Sequence, residues 1–143
     1  SKAAQLNYSD VFATMLLDIQ PGLIVTSSYG ATGGDHYLHD YHPPRTKPTG
    51  RVVVEKSGKA RAWVPVSVVR NWCAEHGHDY PSLRDFATNN QLVTNTAERV
   101  VLAKGLPILS TRQRCWTINT KACNNVLYEV TGASSLKTNN TSS

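Results

Sequence analysis

The apolar positions of the chain fall into short periodic runs separated by Gly, Pro and Asn, and each period predicts an element. Val11, Phe12, Met15, Leu16 and Ile19 recur at helical spacing, with Ser9 as N-cap and Pro21 as a stop, which predicts an amphipathic helix. Leu23-Ile24-Val25 reads as a short buried strand. The stretch from Ser27 to Gly50 is rich in Gly, Pro, Tyr and His and has no period, so it is a long loop or a pair of short strands with an irregular connection. Arg51 to Val54 and Arg61 to Val64 flank the turn chemistry of Ser57-Gly58-Lys59 and predict a β-hairpin.

Beyond Pro65 the period lengthens again. Ser67 caps a helix whose Val68, Val69, Trp72 and Cys73 face inward, and Gly77 is placed to end it in the left-handed conformation. After the link His78–Pro81, Ser82 caps a second helix with Leu83, Phe86 and Ala87 as its stripe, ending near Asn89-Asn90. Glu98 to Ala103 alternates and is rich in Val; Arg112 to Asn119 alternates too, with Arg112, Arg114, Trp116 and Ile118 on one face. With the turn at Lys104–Pro107 they form a second hairpin with a long tip. From Gly132 the chain is Ser, Asn, Thr and Lys, a polar tail expected to be disordered.

Length and composition fit these elements. A chain of 143 residues, 40% of them hydrophobic, suffices for one domain with a core. No apolar run approaches the roughly 18 residues a membrane span needs, so no membrane partner is expected. The chain as given has no signal-peptide pattern and begins as an excised domain would. Cys73, Cys115 and Cys123 are an odd number without paired short spacing; Cys73 beside Trp72 and Cys115 before Trp116 read as core residues, and a cytoplasmic location fits.

The formal net charge of +5 is unevenly placed. Residues 1–50 hold three Lys and Arg against four Asp, whereas residues 51–121 hold eleven against five Asp and Glu. A basic segment inside a globular domain points to a polyanion, nucleic acid first, although a merely basic surface is the alternative.

The order from residue 61 to 119 is strand, helix, tight link, helix, strand, turn, strand. It resembles the winged-helix variant of the helix-turn-helix, in which the second close helix enters the major groove and the hairpin wing lies on the backbone or in the minor groove. In these terms the first helix is 67–76, the turn 77–81, the recognition helix 82–90 and the wing 98–119. The run Ala62-Trp63-Val64-Pro65-Val66-Ser67-Val68-Val69-Arg70-Asn71-Trp72-Cys73, then Leu83, Glu98 to Gly105 and Arg114 to Ile118, is similar to the small winged-helix domain that ends replication or mobilisation proteins of phages, plasmids and integrated elements. There the module follows a primase, helicase or relaxase core. The resemblance covers about residues 51–125 and implies a DNA-binding accessory domain attached to such a polypeptide.

The residues on these elements match what DNA binding requires. Arg84 can pair with guanine and Asn89 with adenine, and Thr88 and Asn90 stand beside them off the apolar stripe. Lys104, Thr111, Arg112 and Arg114, on the wing, suit phosphates. The expected partner is DNA, double-stranded before single-stranded; a protein-interaction module docking through Tyr29–Tyr41 is the alternative.

Other chemistries fit less well. His36, His39 and His42, with Asp35 and Asp40, are the densest set of metal-ligand types, but Gly33-Gly34 before and Pro43-Pro44 after them argue for a loop. A metal-dependent hydrolase there is a third reading, and the Tyr and His of the loop can also stack on unpaired bases. Cys73 near His76 and His78 lies on a buried stripe, poorly placed for nucleophilic attack. No GxxxxGK[ST] or GxGxxG loop occurs, so nucleotide hydrolysis is not expected. The expectation is therefore a non-enzymatic α+β domain without metal or cofactor: a winged helix over residues 1–131 with its core at 51–121, an extra N-terminal helix and hairpin, and a tail at 132–143.

Overall fold

A computed structural model describes residues 7–28, 36–37, 47–55, 57–108, 110–133 and 136. The chain is an α+β fold. Helix α1 spans Tyr8–Asp18, and a 3-10 turn at Gln20–Gly22 leads into β1, Leu23–Ser28. The two-residue β2, His36–Tyr37, precedes the hairpin of β3, Gly50–Glu55, and β4, Ala60–Pro65. Then come α2, Val66–His76; α3, Tyr80–Asn89; β5, Val93–Val101; β6, Arg112–Ile118; and α4, Asn124–Thr131. The strands form one sheet in the order β2-β1-β3-β4-β6-β5, with β1 parallel to β3 and the other neighbours antiparallel.

The helices cover one face of the sheet. Val25, Val52, Val54, Ala62, Val64, Trp116 and Ile118 point into a core closed by Phe12, Met15 and Leu16 of α1, Val69 and Trp72 of α2, Leu83 and Ala87 of α3, and Leu127 and Val130 of α4. The alternation expected for the β3–β4 hairpin holds, because register pairs Val52 with Ala62 on the core face and Arg51 with Trp63 on the other. The second face also buries residues: Ile24, Thr26, Arg51, Val53 and Cys115 are all nearly inaccessible. Both Cys115 and Trp116 of β6 are thus buried, where simple alternation would expose one.

Several expected boundaries move, each for a local reason. Asn7 caps α1 in place of Ser9, its Oδ1 accepting from the Ser9 and Asp10 amides. α2 starts straight out of the strand after Pro65, without a side-chain cap from Ser67. α3 begins two residues before Ser82, because Asp79 is its cap and accepts from both the amide and the hydroxyl of Ser82. β5 begins at Val93, well before Glu98. Two register irregularities absorb Thr94 to Ala97, with Asn95 Oδ1 accepting from the Ala97 amide, so strand pairing survives where the polar alternation fails. Gln91 takes a left-handed φ of 59° between α3 and β5, and its carbonyl accepts from Asn119 Nδ2.

The C-terminal part holds more structure than the polarity of its sequence suggests. α4 has no counterpart among the expected elements, and Ala133 and Leu136, inside the expected tail, are core residues. The rest of that tail lies outside the described residues.

Gly50 packs with no room for a side chain: a Cβ would lie 2.8 Å from Leu23 Cδ2 and 2.8 Å from the Trp63 carbonyl. Gly50→Ala should therefore destabilise the fold by about 1–3 kcal/mol, read as a lower denaturant midpoint with an unchanged slope. Asp79 is held below its ordinary value of 3.8, first by the Ser82 hydroxyl and then by the Ser82 amide. A lowered carboxyl gives stability that is present above its unfolded value and lost as pH falls through the folded one. Asp79→Asn, which keeps a capping oxygen, should flatten the acid limb of a thermal-melt series below about pH 4 and leave neutral stability nearly unchanged.

Candidate nucleic-acid interface

The connection β4–α2–α3–β5–β6 places α2 and α3 on the core face of a three-stranded antiparallel portion ordered β4-β6-β5. α3 is held there by one aromatic joint. Trp116 of β6, fully buried, donates its indole N–H to the Tyr80 hydroxyl at 3.1 Å, and the two rings lie 5.8 Å apart. The other side of Tyr80 is cationic: the guanidinium of Arg70 sits 4.7 Å from the ring centre and that of Arg84 5.8 Å.

On the same face of β6, two and four residues before Trp116, are Arg114 and Arg112. Register sets Arg99 of β5 directly opposite Arg114, and Val101 opposite Arg112. This end of the hairpin thus gathers Arg99, Arg112 and Arg114 on the α3 side of the sheet. All three are exposed, and no acidic group of the described residues lies within ion-pair distance of them. Like charges directly opposite each other weaken a sheet, so the arrangement costs stability in the free protein.

The sequence-predicted residues of α3 divide by what their side chains already do. Thr88 donates its hydroxyl to the carbonyls of Arg84 and Asp85, and Asn90 Nδ2 donates to the Phe86 carbonyl at 2.9 Å. Arg84 is half-buried and its Nε lies 3.2 Å from Asp85 Oδ1. Asn89 is exposed, and its amide is unengaged among the described residues, the state a bidentate base contact requires. Thr111 and Arg112 are exposed at the start of β6.

Lys104 is not brought to this side. The chain between β5 and β6 folds back over the second face, burying Leu102 and Ala103, and Arg51 pins it there by donating to the Leu102 carbonyl at 2.6 Å and the Lys104 carbonyl at 3.1 Å. The tip is thus packed against the sheet, and Lys104 lines a groove with Arg61 and Trp63 on the face away from α3. Arg70 and Arg99 were missed from sequence, where the first lies outside the second helix and the second is hidden in a Val-rich run. The spacing Arg99-Val100-Val101, read against Arg112-Gln113-Arg114 across an antiparallel turn, is the signal that would have found Arg99.

The remaining sequence candidates do not assemble a reaction centre among the described residues. His76 Nδ1 donates to the Trp72 carbonyl, its Nε2 lies 3.5 Å from Asp18, and both His76 and His78 stack on Trp72 instead of meeting Cys73. Burial pushes the Cys73 thiol up, with Asp79 adding to it, and burial pushes those of Cys115 and Cys123 up to about 11, so all three stay protonated near neutrality. Among the described residues no three His, Cys, Asp or Glu are grouped to hold a metal. Of the His36, His39, His42, Asp35 and Asp40 set, and of Tyr29–Tyr41, only the backbone of residues 36–37 is described, pairing with Ser27 and Thr26; the rest lies outside the described residues. No described helix is long and apolar enough to cross a membrane.

The Trp116–Tyr80 hydrogen bond has a direct consequence for stability. Tyr80→Phe leaves a fully buried indole donor without its acceptor, and the denaturant midpoint should fall by an amount equivalent to about 1–3 kcal/mol. Tyr80→Phe in a Trp116→Phe background should cost much less, and equal costs in the two backgrounds would mean that the bond is not made. Comparison of the chain with protein-family models, with curated proteins and with solved structures finds no match to any of them.

Proposed function

We propose that the chain is a winged-helix domain that binds double-stranded DNA without catalysing a reaction, as an accessory module of a replication or conjugation protein of a mobile genetic element. In this reading α2 and α3 are the helix-turn-helix pair, α3 lies in the major groove, and the β5–β6 hairpin is the wing. The observation that carries it is the gathering of Arg99, Arg112 and Arg114, without an ion-pair partner among the described residues and on one face, beside the recognition helix. A polyanion relieves the repulsion that the free hairpin bears, and counterion release supplies the affinity.

Roles follow from the state of each side chain. Asn89 reads a base edge, adenine by its donor and acceptor pattern. Thr88 and Asn90 keep acceptor oxygens for the DNA while their donors hold the helix end. Arg70 and Arg84, stacked at Tyr80, flank the helix start where the backbone passes. Thr111 supplies a hydroxyl to a phosphate, and Arg112 and Arg114 hold phosphates with Arg99. The larger replication or relaxase polypeptide is carried by the resemblance over residues 51–125 and supplies the catalytic partner.

A salt-titrated anisotropy assay on a labelled duplex tests this. Each arginine that neutralises a phosphate adds about 0.9 to the slope of log K against log salt, so Arg112→Ala with Arg114→Ala should lower the slope by nearly two for any sequence. Asn89→Ala should instead cost about 1–3 kcal/mol on the preferred site alone. Absence of duplex binding at low salt would leave the same fold as a protein-interaction module, and an unchanged slope in the double variant would remove the wing from the interface.

A further inference from the structure

The second face of the sheet carries a site unrelated to α3. The fold-back of residues 102–105, with β3, β4 and the end of β5, encloses a groove of about 650 Å³. This lies within the range of about 300–1,000 Å³ typical of pockets for nucleotide-sized ligands. Its described lining holds Arg51, Arg61 and Lys104, together with the hairpin's Arg99 and Arg112, whose side chains alternation sets on the α3 side, against one carboxylate, Glu98, which accepts a hydrogen bond from Thr117. Arg51 is committed to Thr26 and to the two turn carbonyls, so it contributes field, whereas Arg61 and Lys104 are exposed and able to reach a ligand.

In the floor lies Trp63, half-buried, with the Arg61 guanidinium 5.8 Å from its ring centre. Its indole nitrogen is buried and has no hydrogen-bond partner among the described residues. A buried donor without an acceptor costs about 1–3 kcal/mol, so in the free protein a phenylalanine would serve the fold at least as well. What a tryptophan adds is a large aromatic face on which a planar ring can stack.

Cations on the walls and an aromatic in the floor are the combination that holds an unpaired nucleotide, by phosphate contact and base stacking. A duplex keeps its bases stacked on one another and offers no ring to a recessed indole, and an acidic peptide would use the cations but not the indole. We propose that this groove binds single-stranded DNA, with one base stacked on Trp63 and the neighbouring phosphates held by Arg61 and Lys104. The choice of DNA over RNA rests on the duplex reading above; the site itself rests on its own residues. One domain would then hold duplex on its α3 side and an unpaired strand on the other, the arrangement a junction between the two requires.

The test uses the full chain and a strand of about ten thymidines, read by anisotropy of the labelled strand and by tryptophan emission at about 50 mM salt. Trp72 and Trp116 are buried, so binding should quench the Trp63 share of the emission. Trp63→Leu should abolish the quench and weaken the strand about fivefold to a hundredfold, with duplex affinity unchanged. Arg61→Glu, at an exposed position that leaves the core intact, should weaken it at least about tenfold and keeps the test decisive if Trp63→Leu fails to fold. Absence of binding, binding that leaves the emission unquenched, or binding indifferent to both substitutions overturns the proposal; tighter binding of a uridine strand overturns the assignment to DNA. Arg114 does not line the groove, so Arg114→Ala should weaken duplex alone, and the two sites stand or fall separately.

Discussion

The buried indole of Trp116 is the joint on which the arrangement turns. It sits at zero exposure in the middle of the β4-β6-β5 portion and spends its one donor on Tyr80, the first residue of α3. Because Tyr80 also carries Arg70 and Arg84 against its ring, the same contact that docks the helix on the sheet sets the cations at the helix start. Strand pairing then does the rest: Trp116 and Arg114 share a face two residues apart, so the position of the helix relative to the hairpin arginines is fixed by covalent spacing and not by long flexible side chains.

Arg51 does the corresponding work on the opposite face. Its guanidinium is almost wholly buried, and a buried cation is tolerated only when its donors are met. Thr26 and the carbonyls of Leu102 and Lys104 meet them, and in doing so tie the β5–β6 connection down on the sheet. The excess positive charge of residues 51–121 is therefore not one surface. Arg51 is internal, Arg61 and Lys104 face the groove, and Arg70, Arg84 and Arg114 belong to the α3 side. A single net number in the sequence resolves into two patches on the two faces of the sheet, which meet at Arg99 and Arg112 of the hairpin edge.

Elements whose stability is local were legible from sequence, and those made by distant contacts were not. The β3–β4 hairpin, α2 with its left-handed Gly77, and the core stripe Leu83/Ala87 of α3 were read from period and turn chemistry and are present. The buried Cys73 and Cys115 were equally readable. α4 was invisible because Asn124-Asn125-Val126 are poor helix formers; the helix exists because Leu127 and Val130 bury themselves against α1. The first half of β5 was hidden because Thr94 to Ala97 do not alternate in polarity, and pairing with β6 overrides that. Of the candidate site, Asn89, Arg112 and Arg114 are expected from type and period and lie exposed. Lys104 reads as a wing-tip residue in the sequence because nothing in its neighbours reveals that Arg51, some fifty residues earlier, folds the tip back.

The hairpin arginines admit a second physical account, and magnitudes separate the two. β5 is an edge strand, and edges are commonly charged to keep other strands from pairing with them. Either sign serves that purpose, and a cross-strand pair of opposite sign would serve it while adding roughly 0.2–1 kcal/mol to the hairpin. Arg99 directly opposite Arg114, with Arg112 beside them, forgoes that gain and incurs repulsion, although Glu98 stands one residue away and is turned to the other face to meet Thr117. Protection of the edge does not require a same-sign cluster on the side where α3 lies. In the reading proposed above, a bound polyanion converts that repulsion into binding energy.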